Sequence, residues 1–482
     1  MTEDISWEIN VKNKGAIKRM IVLALSVLGL IYETAIYAYM WFNKFHIDIN
    51  HRTGLKFYFN GHAAIILIYV VLIFFFTSTY GGMKIGYLKS MDVILSQSVS
   101  LLIVNVITYL QLSLMNNWLL PALPFILMFL TQLVVIILWA LLCDRIYHRI
   151  YPPREVLLIH GNRPYGDIAN KLNSRNDRFK VTRCIHINEG IENIESIISE
   201  SFRTVLLWDI DTPSRNKLLK YCYSKSIRVY MMPKIPDVLV KGAESVHLFD
   251  TPLLLTREHA LTVEQRLTKR IMDIVFSAIF IIILSPLMII TAIAIKLYDG
   301  GPVFYKQIRC TAGEREFKIL KFRSMRVDAE KDGVARLAQK NDDRITPIGK
   351  FIRTVRIDEI PQLFNIFIGD MSFIGPRPER PEIIAQYVKE MPEFVYRMKM
   401  KAGLAGYAQI YGKYNTTPYD KLKLDLTYIE NYSVWLDLKL MLLTLKILIK
   451  PESTEGVEST QTTAMKSADE ENETDNVERE SK

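Results

Sequence analysis

Residues 271–297 read IMDIVFSAIFIIILSPLMIITAIAIKL, an apolar run long enough as a helix to cross a hydrocarbon core of roughly 30 Å. Ser285 and Pro286 interrupt the run near its centre, and a proline inside a helix removes a backbone donor and bends the helix. Basic residues flank both ends, namely Arg266, Lys269 and Arg270 before the run and Lys296, Lys306 and Arg309 after it. Because such residues mark the cytoplasmic side, this symmetry favours a re-entrant helix over the alternative, a kinked transmembrane helix.

Four further apolar stretches of similar length lie in the first third of the chain, at residues 20–41, 63–80, 93–115 and 119–143. They predict a four-helix transmembrane domain over residues 1–150. Lysine and arginine are much more frequent in the N-terminal flank, the loop between the second and third spans and the C-terminal flank than in the other two loops. Both ends of this domain are therefore expected in the cytoplasm.

The formal charge of +9 conceals an uneven distribution along the chain. Residues 451–482 carry ten acidic and three basic side chains, so this tail has a net charge of −7 and the rest of the chain +16. Because the tail is polar and lacks aromatic residues, we predict that it is disordered. In a membrane protein the basic remainder indicates anionic lipid and phosphorylated substrates as partners, and not nucleic acid.

Residues 151–250 alternate strand-like and helix-like runs, which predicts a small Rossmann-like α/β accessory domain with a parallel sheet. The strand-like runs are 156–160, 180–187, 205–210 and 227–232, and the helix-like runs are 166–172 and 215–224. The first turn has only Gly161 and Gly166, too few glycines for a dinucleotide fingerprint. A structural or regulatory role is the expectation for this domain.

The chemistry-bearing run is RTVRIDEIP at residues 353–361, followed by GPRPE at residues 375–379. Two adjacent carboxylates between arginines suit phosphoryl chemistry, because one carboxylate can attack phosphorus, the other can hold a divalent metal and the guanidiniums can grip phosphate oxygens. No histidine follows Leu261, and Cys310 is the only cysteine after it. Acids, bases and nucleophiles in this half must therefore be mostly carboxylates, hydroxyls or lysines.

Pro361 is tolerated only in the first turn of a helix. We therefore expect a helix that begins near Asp358 and places both carboxylates at its positive N-terminal end, where backbone amides also bind phosphate. The alternative is that Asp358 only caps this helix and Glu359 is solvated.

Residues 266–448 resemble the bacterial sugar transferase family, the polyisoprenyl-phosphate hexose-1-phosphate transferases. The shared signatures occur in order: the Ser285-Pro286 helix with its basic flank, KFRSM at 321–325, DRIT at 343–346, RTVRIDEIPQLF at 353–364, GDMS at 369–372, GPRPE at 375–379, and GLAG at 403–406 with Gln409. Four spans followed by an α/β domain are similar to the long form of that family.

The resemblance implies a mixed, mainly α, monotopic catalytic domain over residues 262–450, with a re-entrant helix at 271–297 that breaks at Ser285 and Pro286. It implies that Asp358 is the nucleophile and that Glu359 binds Mg²⁺. The phosphate-binding residues that it implies are Lys321, Arg323, Arg353 and Arg377.

The resemblance also implies a reaction: a UDP-sugar gives its hexose-1-phosphate to undecaprenyl phosphate through a covalent aspartyl phosphosugar, with release of UMP. This is expected to be the first membrane step of capsule, exopolysaccharide or O-antigen synthesis. The expected location is the bacterial cytoplasmic (inner) membrane, with the catalytic domain facing the cytoplasm. The long family form makes a homodimer a further expectation.

Two other classes of function are open at this point. Asp209 and Asp211 follow a strand-like run, where an acidic pair could hold a metal against a nucleotide sugar in a glycosyltransferase that releases UDP. The second is a non-enzymatic scaffold for polysaccharide assembly. Glu33, midway along the first span, costs roughly 2–3 kcal/mol there unless it is paired or protonated.

Overall fold

The computed structural model of the chain describes residues 2–256, 260–327, 344–412 and 416–448. The acidic tail at residues 451–482 lies outside the described residues, as does Asp343 of the DRIT signature. The chain divides into two compact units, Met1–Met232 and Pro233–Lys482.

The first unit begins with long apolar helices, as the sequence predicts. They are α1 (Thr2–Met40), which continues through a π-helical turn (Trp41–Phe45) into α2 (His46–Thr53), then α3 (Phe59–Tyr80), α4 (Ser90–Met115) and α5 (Ala122–Ile150). Each of the four segments that the sequence marks is long and apolar enough to cross a membrane. The outward faces carry exposed leucine, isoleucine and valine, which suits contact with lipid. The expectation of a membrane protein is confirmed.

A closed ring of hydrogen bonds joins three helices inside this bundle. The Tyr69 hydroxyl donates to Asn105 Oδ1 (3.1 Å), Asn105 Nδ2 donates to Gln132 Oε1 (2.9 Å) and Gln132 Nε2 donates to the Tyr69 hydroxyl (2.8 Å). Gln132 Nε2 also reaches the backbone oxygen of Glu33 on α1 (3.2 Å). Without a hydrophobic driving force between helices in lipid, such bonds help to select the helix neighbours.

The Glu33 side chain next to this ring is 1% exposed. Within the part of the chain that the structure describes, neither of its carboxyl oxygens has a hydrogen-bond partner. Glu33→Gln keeps the shape and removes an ionisable group that is costly to bury. We expect the variant to retain or raise the melting temperature of the detergent-solubilised protein. Asn105→Leu, which opens the ring, is the control and should lower it; a lower melting temperature for Glu33→Gln would show that the carboxyl is partnered.

The rest of the first unit is an α/β region with a parallel sheet, which confirms the pattern-based prediction. Its elements are β1 (Arg154–His160), α6 (Gly166–Asn173), β2 (Phe179–His186), α7 (Ile191–Ser201), β3 (Thr204–Trp208), α8 (Thr212–Ser224) and β4 (Arg228–Met231). The strand order is β2-β1-β3-β4. Gly161 is required after β1, because a Cβ there would lie 2.1 Å from the backbone oxygen of Asp209.

The second unit is mainly helical with short pairs of strands. It contains α9 (Ile235–Lys241), the hairpin β5 (Glu244–Leu248) and β6 (Thr251–Leu255), α10 (Val263–Asp299), the hairpin β7 (Phe304–Cys310) and β8 (Glu316–Phe322), α11 (Pro347–Thr354), α12 (Gln362–Ile368), β9 (Ser372–Ile374), α13 (Pro381–Glu390), β10 (Gly403–Ala405), α14 (Tyr407–Tyr411), α15 (Pro418–Glu430) and α16 (Val434–Leu448). Strands β9 and β10 pair in parallel.

Helix α10 begins at the capping residue Thr262 and contains Pro286. Towards its end, Met288 and Ile295 belong to the same buried cluster as Phe322 of β8 and Ile357. Other side chains of α10, among them the isoleucines at positions 282, 283 and 290, are exposed. One face of this apolar helix therefore packs on the rest of the second unit, and its other faces are available to lipid.

Candidate active site

The two adjacent carboxylates lie on a 3-10 turn, Ile357–Glu359, between α11 and α12. Arg356 immediately before it has the left-handed φ of 57°, a conformation that ends the path of α11 and redirects the chain. The expectation of an α-helix beginning near Asp358 is wrong, since α12 begins at Gln362, after Pro361. The side chains are thus presented from a tight turn that precedes the helix.

Three cationic side chains converge on Glu359. Its Oε1 accepts hydrogen bonds from Lys321 Nζ (2.9 Å) and Arg377 Nη2 (3.3 Å), and its Oε2 lies 3.8 Å from Arg356 Nη1. The side chain is 15% exposed. Burial opposes ionisation, but Lys321, Arg377 and Arg356 together hold the pKa of Glu359 well below its ordinary value. Glu359 is therefore a carboxylate at neutral pH and is not the solvated side chain of the alternative interpretation.

The pKa of Asp358 is shifted in the opposite direction. Burial, and then the negative charge of Glu359, raise the pKa of Asp358 to about 6, against the opposing effect of the cations Lys321, Arg353 and Arg356. At neutral pH most of the carboxyl is still ionised, with a higher basicity than an exposed aspartate. An ionised carboxylate needs no neighbouring base to act as a nucleophile.

The loop that carries Arg377 is held by its backbone. Arg397 Nη2 donates to the backbone oxygen of Arg377 (2.9 Å), and Gly403 N donates to the backbone oxygen of Pro376 (2.9 Å). Glu379, two residues further on, lies 2.5 Å from Lys421 Nζ and 3.7 Å from both Arg309 and Arg397. Arg377 is thus anchored at the surface of a buried charge network.

The structure brings together five of the residues that the sequence analysis assigned to the site, which are Lys321, Arg353, Asp358, Glu359 and Arg377. Arg323 lies elsewhere. It is 7% exposed and forms an ion pair with Asp299 at the end of α10, so its geometry lends no support to phosphate binding. Ser285 and Pro286 lie midway along α10, where Ser285 Oγ donates to the Ile282 backbone oxygen.

Asn365 has a role that the sequence analysis missed. Its Nδ2 donates to the Lys318 backbone oxygen (2.9 Å) and its Oδ1 accepts from Leu320 N (2.9 Å). These bonds tie α12 to β8, the strand that carries Lys321. An amide within the apolar run of α12 was the available signal, because a buried polar side chain requires partners.

The oxygen donors of the carboxylate turn suit Mg²⁺. In the described ranges, no group of three or more histidine, cysteine, aspartate or glutamate side chains could hold a metal ion. Mg²⁺ often takes only one or two protein carboxylates and completes its shell with water and substrate phosphates. Asp358 and Glu359 are hard oxygen donors of this kind, so they fit a Mg²⁺ that is shared with a phosphorylated substrate.

The raised pKa of Asp358 predicts a pH profile. On the expectation that Asp358 is the nucleophile, protonation removes its anionic oxygen, so kcat/KM for the UDP-sugar should fall as the pH drops through about 6. An ordinary aspartate would lose its charge only near about 4. The measurement is kcat/KM from pH 5 to 8, with the melting temperature followed over the same range to exclude unfolding. A flat profile down to pH 5 would contradict the assignment.

Comparison with known proteins places this site in a family. Residues 264–451 match the family described as bacterial sugar transferase. The UDP-N-acetylgalactosamine-undecaprenyl-phosphate N-acetylgalactosaminephosphotransferase of Aeromonas hydrophila is 39% identical over 236 residues, 48% of this chain and 55% of the relative. The UDP-glucose:undecaprenyl-phosphate glucose-1-phosphate transferase of Klebsiella pneumoniae is 38% identical over 210 residues, 42% of this chain and 43% of the relative.

The match therefore spans about half the length of these two relatives. The UDP-glucose:undecaprenyl-phosphate glucose-1-phosphate transferase of Caulobacter vibrioides is 37% identical over 192 residues, which are 39% of this chain but 72% of that protein. The matched region contains α10, both carboxylates and every cation that surrounds them. The chain belongs to the bacterial sugar transferase family.

Proposed function

We propose that this protein transfers a hexose-1-phosphate from a UDP-sugar to undecaprenyl phosphate and releases UMP. The observation that carries the proposal is the pair of unlike carboxylates, Glu359 held ionised by three cations and Asp358 with a raised pKa beside it. The relatives that this chain matches bear the names of undecaprenyl-phosphate sugar-phosphate transferases.

The first step uses Asp358 as the nucleophile. A carboxylate oxygen attacks the phosphorus that carries the sugar, and the bond from that phosphorus to the bridging oxygen breaks. UMP leaves with the bridging oxygen and its electron pair, and an aspartyl phosphosugar remains on the protein. In the second step, a phosphate oxygen of undecaprenyl phosphate attacks the same phosphorus. The product is the lipid diphosphate sugar, and the Asp358 carboxylate is restored.

The cations around the carboxylates explain how two anionic substrates can meet there. Arg353 lies close enough to lower the pKa of Asp358, and Lys321 and Arg377 contact Glu359. Cations preorganised around a transferring phosphoryl group stabilise its developing charge. Glu359 would hold Mg²⁺, which when bound offsets the charge of the diphosphate.

We further propose that α10 is re-entrant. Lys269 near its start contacts β9, and Ile295 near its end packs with Phe322 of β8. A straight helix would separate these two positions by about 39 Å, more than the roughly 30 Å of a hydrocarbon core. Because both positions contact the same compact unit, that unit would have to lie on both sides of the membrane if α10 spanned it. A helix that bends at Ser285-Pro286 avoids this difficulty.

The proposed location is the bacterial cytoplasmic membrane, with the second unit on the cytoplasmic side. The distribution of basic residues around the apolar helices supports this orientation. We also propose that the parallel α/β region is a Rossmann-like accessory domain. A homodimer stays a prediction.

The geometry supports neither of the two alternative functions, the UDP-releasing glycosyltransferase and the non-enzymatic scaffold. Asp211 of the proposed glycosyltransferase pair is the N-cap of α8, where its Oδ2 accepts a hydrogen bond from Ser214 N (3.0 Å). This is a common structural role for an aspartate at that position. A non-enzymatic scaffold would not require unlike carboxylates among convergent cations.

The donor experiment uses UDP-sugars labelled with ³²P at the phosphate next to the sugar. Membranes that contain the protein are incubated with undecaprenyl phosphate and a panel of such donors, with and without Mg²⁺. We expect one donor to place the phosphate label in the lipid fraction, with Mg²⁺ required and UMP as the released nucleotide. If the label stays in released UDP while the sugar moves to lipid, the protein is a glycosyltransferase. The absence of transfer from every donor would support the scaffold.

A further inference from the structure

Three side chains within little more than one turn of α10 reach the two segments on which the site is built. Lys269 is 5% exposed and Asp273 is 4% exposed, and Arg270 is partly exposed. The sequence analysis used Lys269 and Arg270 only as part of the basic flank. Their contacts in the structure indicate a more specific role.

Arg270 binds the end of α12. Its Nη1 donates to the backbone oxygen of Ile366 (2.8 Å), and its Nη2 donates to the backbone oxygens of Phe367 (2.8 Å) and Ile368 (3.2 Å). The last carbonyls of a helix lack intrahelical partners, and a cation at that end also interacts favourably with the helix dipole. Since α12 begins three residues after Glu359, this contact fixes the direction of the segment that carries the carboxylates.

Lys269 binds the end of β9. Its Nζ donates to the backbone oxygen of Ile374 (2.9 Å) and forms an ion pair with Asp437 of α16 (2.5 Å). Tyr428 of α15 donates to the other oxygen of Asp437 (2.6 Å) and lies 3.1 Å from Lys269 Nζ. The ammonium is therefore buried with its donors occupied. Contacts with β9, α15 and α16 therefore fix the position of the Lys269 side chain.

Asp273 binds the start of the same strand. Its Oδ1 accepts hydrogen bonds from Ser372 Oγ (2.9 Å) and from Phe373 N (3.0 Å). All three residues of β9 are thus bound by α10, and Arg377 follows the last of them, Ile374, by three residues. Little more than one turn of one helix holds both halves of the site.

We propose that Lys269, Arg270 and Asp273 are positioning residues for the transfer reaction, which together set the approach of Arg377 to Glu359. This inference rests on the proposed function. The apolar helix that is long enough to enter a membrane is, by these contacts, the same rigid element that aligns the carboxylate turn with the Arg377 loop. The position of α10 in the membrane and the alignment of the catalytic groups therefore depend on the same helix.

Arg270→Ala is the most informative variant, because this side chain is partly exposed and its loss leaves no buried charge behind. Lys321, Arg353 and Arg377 are intact in the variant, so the KM for the UDP-sugar should stay within about twofold. A displacement of about 1 Å can cost about 100-fold in rate, and we expect kcat to fall between about 10-fold and 100-fold. Arg270→Lys should recover part of kcat, because an ammonium can still donate to the carbonyls of α12.

Arg266→Ala is the matched control, since it removes the same charge one turn earlier from an exposed side chain of the same helix. It should retain full kcat. Asp273→Asn, which keeps the shape but weakens the acceptor for β9, should lower kcat several-fold with an unchanged KM.

The results separate this inference from the proposed function. An active wild-type protein with an equally active Arg270→Ala variant would overturn the inference alone. A purely structural role would also overturn it: kcat, KM and melting temperature would then change together, without recovery in Arg270→Lys. A wild-type protein that transfers from no UDP-sugar would overturn the proposed function and this inference with it.

Discussion

Asp358→Asn is expected to reduce sugar-phosphate transfer by a factor of about 10³ or more, because the amide keeps the shape of the side chain but has no anionic oxygen to attack phosphorus. Asparagine also removes one negative charge from the turn, so binding of an anionic donor should be retained or improved. A fall in kcat without a rise in KM is the expected signature. The assay is transfer of labelled phosphate from the UDP-sugar to undecaprenyl phosphate.

A trapping experiment gives this prediction a second measurement. With the ³²P-labelled donor and no lipid acceptor, the wild-type protein should retain label after rapid denaturation, and peptide mapping should place it at Asp358. The Asp358→Asn protein should retain none. Asp370→Asn is a matched control, because Asp370 pairs with the exposed side chain of Arg315 (3.0 Å). Undiminished transfer by Asp358→Asn would contradict a covalent intermediate at this position.

Arg377→Ala is expected to lower kcat by about 10³-fold, a typical contribution of one arginine to a transferring phosphoryl group. The guanidinium lies 3.3 Å from Glu359 Oε1, and we expect it to contact the phosphate that Asp358 attacks in the proposed mechanism. Its loss also removes one of the cations that hold the pKa of Glu359 low. Arg377→Lys keeps the charge but loses the planar, two-pronged geometry, and should give an intermediate rate.

Arg315→Ala is the control for this second prediction. It removes the same side chain from a solvent-exposed ion pair with Asp370, and such pairs contribute little. Both variants should keep the melting temperature of the wild-type protein within a few degrees. A near-normal rate for Arg377→Ala would remove this residue from the site.

The carboxylate turn shows where local signals were insufficient. Pro361 and the apolar residues after it predict a helix, and α12 is indeed there. The predicted start of that helix was wrong, because tolerance of proline in a first turn does not distinguish an α-helix from a preceding 3-10 turn. The left-handed backbone at Arg356 redirects the chain between α11 and the turn, and nothing in the local sequence predicts it.

Lys321 and Arg323 illustrate a second limit. Both are basic and both belong to one signature, and the resemblance to the family implied that both bind phosphate. Strand β8 ends at Phe322, and the chain leaves the sheet there. Lys321 consequently meets Glu359, while Arg323 meets Asp299.

The sequence by itself determined the apolar helices and the alternating α/β region, since each depends on spacing within a short segment, and the resemblance to the family singled out the two adjacent carboxylates. Only the tertiary structure decided which cations meet Glu359, because Lys321 and Arg377 are 38 and 18 residues away from it along the chain. It also decided that one helix holds both halves of the site. Electrostatic and hydrogen-bond partners are set by distance in space, and chain separations of this size leave that distance undefined until the strands and helices have packed.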